Sequence, residues 1–262
     1  MRFILFAVVF LVGGSPSALA GVVVHIGQKS DANGKPMDHQ VVYAQDGLLR
    51  VDKLDDKGQV NEMTLIRDGA IWQVDTQKRT FSKIDKAAMS AKQGEMEQRM
   101  QAAMANMPPE RRAMIEQRMK AMQQQTHDFE LTDTGRSERV GSYTCEVWNA
   151  TRDGKPIKEY CVASKGSLTG GDELVAATHK AATIVGDVLS GAQNMSRGAI
   201  SPIYKLYAKM DGFPVSTRDV FGGQTREESA VTSIEKKSLS ADQFAIPKGY
   251  TEAALDKSNA ED

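Results

Sequence analysis

The chain carries two cysteines, Cys145 and Cys161, in the stretch YTCEVWNATRDGKPIKEYCVA. Two thiols sixteen positions apart could form a redox couple, half of a metal site or a structural cross-link. The spacing is not the C-x-x-C of a thioredoxin-type redox site. A zinc site needs about four ligands, and no histidine lies near the pair in sequence. The stretch between them reads strand, turn, strand. With Arg152-Asp153-Gly154 as a three-residue hairpin loop, Thr151 faces Lys155 and Cys145 falls directly opposite Cys161. Opposed residues on antiparallel strands lie close enough for a disulfide. A structural disulfide is the expectation.

Other chemistry is thin. His25, His39, His127 and His179 are scattered, without H-x-H or H-E-x-x-H spacing. There is no G-x-S-x-G elbow and no phosphate-binding loop. Ser233-Ile234-Glu235-Lys236 matches S-x-x-K, the acylating pair of penicillin-binding enzymes. It falls in a predicted strand, and the companion K-T-G is absent. Carboxylate pairs such as Asp55-Asp56 and Glu227-Glu228 sit where solvated charge is the default. No group of residues converges on a reaction, so the expectation is a protein that is not an enzyme and uses no cofactor.

Methionine is the remaining unusual feature. Eight of thirteen methionines lie between Lys86 and Gln125. Met96, Met100 and Met104 recur every four residues, and Met114, Met119 and Met122 accompany Ile115, so each set shares a helical face. Thioether stripes suit gap-filling packing against a sheet or an adaptable surface for lipid tails or a partner. A soft-metal site is the third option, since thioethers favour Cu(I).

The elements that would hold these residues are legible in the pattern. Short β-branched runs predict strands at 22–28, 40–44, 48–54, 62–67, 70–75 and 80–84, separated by Asp-Gly turn chemistry. Such short connections permit only antiparallel pairing. The segment 86–125 is rich in strong helix formers, and Met107-Pro108-Pro109 divides it into two helices. Strands resume at 127–132, 140–151 and 155–163. A third helix is expected over 173–189, capped by Asp172, with Leu174, Ala177, Ala181, Ile184, Val185 and Val188 as its apolar stripe. A short helix at 202–209, strands at 214–221 and 227–236, and the closing segment Phe244–Tyr250 follow.

The ends bound the compartment. Residues 1–20, MRFILFAVVFLVGGSPSALA, have a basic start, a ten-residue apolar run and a small-x-small cleavage site. That layout predicts a secretory signal peptide, and the run is too short to span a bilayer. Gly21 after the expected cut closes the lipoprotein route. A soluble exported protein is therefore expected, with one domain over 21–251, a helical insert at 86–125 and a polar tail at 252–262. A formal net charge of −1 offers no basic excess for nucleic acid.

The runs IRDGAIWQVDTQKRTFSKID and MPPERRAMIEQRM, with the cysteine hairpin, resemble an uncharacterised family of exported bacterial proteins similar to the periplasmic lipoprotein carriers LolA and LolB. The resemblance implies an α+β fold. In it, a curved antiparallel half-barrel is covered on its concave face by helices, among them the Met-rich hairpin. It also implies an apolar cavity that takes up acyl chains; in this chain such a groove is expected to be lined by inward strand residues and by Met100, Met104, Ile115 and Met119. Two other readings stay open: an envelope scaffold or stress sensor binding a protein through the Met-rich helices, and a copper-binding protein.

Overall fold

The structure, a computed structural model, describes residues 20–28, 37–124, 129–190, 207, 209–221 and 224–254. The expected signal peptide lies outside the described residues, apart from Ala20, and so do His127, nearly all of the short helix expected at 202–209, and most of the polar tail.

The alternating runs form the strands their pattern predicts. These are β1 (Ala20–Gln28), β2 (Met37–Gln45), β3 (Leu48–Leu54), β4 (Val60–Arg67), β5 (Ala70–Asp75) and β6 (Thr80–Ile84). Then come the helices α1 (Lys86–Ala105) and α2 (Pro109–Gln124). The chain continues through β7 (Phe129–Val140), β8 (Tyr143–Arg152), β9 (Lys155–Ser164) and α3 (Gly171–Ser190). It ends with β10 (Gly212–Phe221), β11 (Gln224–Ser238) and the two-residue β12 (Thr251–Glu252).

The twelve strands among the described residues join one open sheet in the order β12-β6-β5-β4-β3-β2-β1-β11-β10-β9-β8-β7. Two antiparallel meanders, β1–β6 and β7–β11, meet where β1 pairs with β11. Among the described residues, only β12 breaks the pattern, pairing in parallel with β6. The fold is thus α+β, a large, mostly antiparallel sheet with helices.

Helix α3 lies on the sheet's inner face, in contact with β1–β5 and β10. Every residue of its expected apolar stripe is buried. At about 100° per residue, its buried positions cover roughly half of its circumference. That is wider than the ~100° stripe of an ordinary surface helix, because α1 also packs against it. The helix begins at Gly171, so Asp172 sits in the first turn rather than at the cap, where its charge still favours the helix dipole. The entry is tight: a Cβ on Gly170, at φ +70°, would lie 2.5 Å from Val22, and one on Gly171 would lie 2.0 Å from the Lys165 carbonyl oxygen.

The opposite face of the β1–β6 half is covered by the C-terminal segment. Leu239 and Phe244 pack on Val23 and Val41, and Ile246 and Tyr250 pack around Met63, Leu65 and Val74. With both faces covered, Val22, Val23 and Val24 are all buried, as continuous apolar strands require. Arg50 fastens the segment. It donates twice to Asp52 at 2.7 Å, once to the Gln243 carbonyl oxygen at 2.9 Å, and stacks on Tyr43.

Two strand readings need correction. The loop between β8 and β9 has two residues, not three. Arg152 faces Lys155, and Asp153 and Gly154 both have positive φ, 53° and 72°, as a type I′ turn needs. A bulge at Ile157 then sets Cys161 opposite Val147. The cysteines are therefore diagonal neighbours on the inner face. Their Cα atoms are 5.3 Å apart, and they form the disulfide. Second, β7 runs on to Val140, through residues 133–139 whose Asp-Thr-Gly chemistry suggests a turn. It is the edge strand, polar and interrupted by a bulge between Asp133 and Ser137, the usual protection of an exposed edge.

Candidate functional site

The inner face changes character along the strands. Paired rows run from Val22, Ala44, Leu49 and Ile66, through Val24, Val42, Val51 and Thr64, to Ile26 with Gln40. The first rows are aliphatic and pack α3. Between these strands, β10, β11 and α3 lies a cavity of about 450 Å³, within the range of small-molecule pockets. Val42, Val51 and Ile66 floor it, while Ala181, Ala182 and Val185 of α3 roof it. Tyr207 and Phe213 close a side. The short side chains of Ala181 and Ala182 on this face of α3 leave the space beneath them unfilled.

Towards one end the cavity wall becomes polar, with Gln40, Ser216, Thr217 and Ser229. Ser216 is 2 % exposed, and its Oγ has no hydrogen-bond partner among the described residues. A buried hydroxyl left unpaired costs about 1–3 kcal/mol, so this wall holds an unmet polar group.

Beyond that end the inner face is ionic. Arg218, two residues past Ser216 and on the same face, donates to Glu159 at 2.5 Å and Glu138 at 2.6 Å, and reaches Glu228 at 3.4 Å. Arg136 adds a contact to Glu159. The network ties β7, β9, β10 and β11 together. The Arg218 guanidinium holds the Glu138 carboxyl below its ordinary value, and those carboxylates in turn raise the Arg218 pKa. Across the trough, Lys53 pairs with Glu62 at 3.3 Å, each two residues beyond the cavity-lining Val51 and Thr64.

The Met-rich hairpin sits elsewhere. Helix α1 packs on α3 and β6, and only Met89 in its first turns packs against the main core. No residue of α1 is buried. Met100, Met104 and Ile115 are half-buried and are not among the residues lining the cavity, while the side chain of Met119 lies outside the described residues. The roof is α3 instead, because α3 lies directly on the sheet and α1 rests on α3. Arg112, which the pattern did not single out, joins the two helices by donating to the carbonyl oxygens of Met104, Ala105 and Met107 at the end of α1.

Several of the remaining sequence candidates have structural partners. His25 Nδ1 meets Asp38 at 3.0 Å, and His179 Nε2 meets the Met210 carbonyl oxygen at 2.8 Å. Asp55 accepts the Lys57 and Gln59 amides within its own turn. Ser233 and Lys236 lie on strand β11 three residues apart, which directs them to opposite faces. Among the described residues, no three or more His, Cys, Asp or Glu side chains are grouped to hold a metal ion.

Residues 46–250 match a family described as a domain of unknown function, DUF4412. The chain belongs to that family. The family's span runs from the turn before β3 to the last residue before β12, and so takes in α3, the disulfide and the Arg50 anchor. No curated protein matches the sequence. Among solved structures, the chain is similar to an uncharacterized conserved protein from Thermus thermophilus, at 10% identity and TM-score 0.42, covering 89% of each chain. It is also similar to PNGF-II, at 10% identity and TM-score 0.41, covering 90% of this chain and 31% of that one. No helix among the described residues is long and apolar enough to cross a membrane.

Proposed function

We propose that this is a non-enzymatic periplasmic binding module, related in architecture to the LolA and LolB carriers, that holds a lipid or acyl chain between its sheet and α3. The observation that carries the reading is the cavity: about 450 Å³, floored by Val42, Val51 and Ile66 and roofed by Ala181 and Val185. A close-packed interior leaves few voids larger than a water molecule, and an apolar space of this size matches what a ligand site needs. The leader at residues 1–20 supports export, and the disulfide fits an oxidising compartment.

Native mass spectrometry of the protein purified from its own host, without detergent, tests the reading. A bound lipid mass is expected, and the variant Ala181→Phe, which fills the cavity from α3, should lose it. A ligand-free spectrum together with no uptake of extracted lipids would overturn the proposal.

One observation favours a second reading, a partner surface on the hairpin. Met96 and Met114, 52% and 69% exposed, are the exposed large apolar side chains among the described residues. A photo-cross-linker at position 114 should capture an envelope protein in cells if that surface is used, and nothing but solvent adducts if it is not.

A further inference from the structure

We infer that the ligand of this cavity is an uncharged amphiphile, a neutral acyl ester or glyceride rather than a free fatty acid, held with its chain under α3 and its polar group at the Gln40–Ser216 end. The inference rests on the binding reading above and specifies its ligand. None of the described residues lining the cavity is charged. An ionised carboxylate placed there would be desolvated without a partner, which it avoids by staying outside or by taking up a proton.

The nearest cations do not change this. Arg218 is engaged by Glu138, Glu159 and Glu228, and Lys53 by Glu62. Among the described side chains, Arg136 and Arg218 face three carboxylates at that end of the trough, an excess of one negative charge that disfavours an anionic head. The polar side chains offered at that end are the Ser216 hydroxyl and the Gln40 amide, while Thr217, next along the strand, faces the other side. They suit ester and hydroxyl oxygens, and the unpartnered Ser216 hydroxyl would find there the acceptor it lacks. The order of the paired rows sets the direction. The aliphatic rows of Leu49, Ile66 and Val42 take the chain, and the polar rows face the ionic end.

The test measures equilibrium binding to the full chain by displacement of an apolar fluorescent dye, with three probes of equal chain length: monopalmitoylglycerol, hexadecane, and palmitate at pH 8, where its carboxylate is ionised. Monopalmitoylglycerol should bind at least about tenfold more tightly than palmitate, the difference expected when one head must leave its charge unpaired. Ser216→Ala, which removes only the unpaired hydroxyl and should fold normally, is expected to weaken the glyceride about fivefold, the factor for one hydrogen bond. It should leave hexadecane unchanged. Palmitate binding as well as the glyceride, or a glyceride affinity untouched by Ser216→Ala, would overturn the inference, while hexadecane binding would still support an apolar site. Failure of all three probes to displace the dye would overturn both the inference and the binding reading.

Discussion

Helices α1 and α3 are the same length, twenty residues each, and both carry apolar side chains at helical spacing, yet they stand in opposite relations to the core. In α3, nine residues are buried and the helix lies on the sheet. In α1 none is buried, and methionines alternate with Glu, Gln, Lys and Arg around the cylinder. Connectivity explains the rest. The hairpin α1–α2 joins β6 to β7, near opposite ends of the sheet order, and α1 packs on β6 and on α3. The space against the strands is filled by α3, so α1 forms an outer layer. A helical apolar repeat therefore states that a face is available for packing, and the breadth of that face decides whether it goes to the core.

The contrast can be broken by mutation. Leu174 of α3 is 0% exposed, so Leu174→Ala should cost about 2–5 kcal/mol, read as a lower denaturation midpoint in urea. A loss under about 1 kcal/mol would mean that α3 is not the central element. The disulfide on the same side of the sheet closes a loop with a sequence separation of 16. Replacing both cysteines by alanine should cost about 3 kcal/mol on the chain-entropy account, measured by the same titration.

Acid should separate the two helices in a milder way. Asp85 caps α1 by accepting the Ala88 amide at 2.9 Å, and this bond holds its carboxyl below the ordinary 3.8. A carboxyl whose folded-state pKa is depressed contributes fully above its unfolded value and loses that contribution as pH falls through the folded one. On acidification into that range, α1 should lose helical signal in far-ultraviolet circular dichroism, and Asp85→Ala should show the loss already at neutral pH. The smallest effect belongs to Met114→Ala at 69% exposure, expected to change stability by less than about 0.5 kcal/mol. A destabilisation above about 1 kcal/mol would show that the hairpin is packed more tightly than its burial indicates.

Much of the fold was readable. Strands β1–β6 followed from β-branched alternation and Asp-Gly turns, and every stripe residue of α3 proved buried. Two misreadings have local causes. The polar run through Asp133 and Gly135 carries turn chemistry because β7 is a bulged edge strand. The β8–β9 register depended on whether Arg152 belonged to the loop, a choice settled by the backbone at Asp153 and by the bulge at Ile157, neither of which leaves a distinct signature in residue types. The candidate site was less legible. The methionine repeat drew attention to α1, while the cavity owes its roof to small residues, Ala181 and Ala182, which attract no notice in a sequence.

By itself the sequence determined the order and kind of most elements and the pairing of the two cysteines, because those depend on local periodicity, turn chemistry and the count of partners. The tertiary structure alone decided that α3 rather than the hairpin meets the sheet, that Ser216 is buried without a partner among the described residues, and that the ionic network gathers Arg136, Glu138, Glu159, Arg218 and Glu228 from four strands. These features come from residues up to 92 positions apart in the numbering (228 − 136), brought together by strand order and register, which no local pattern records.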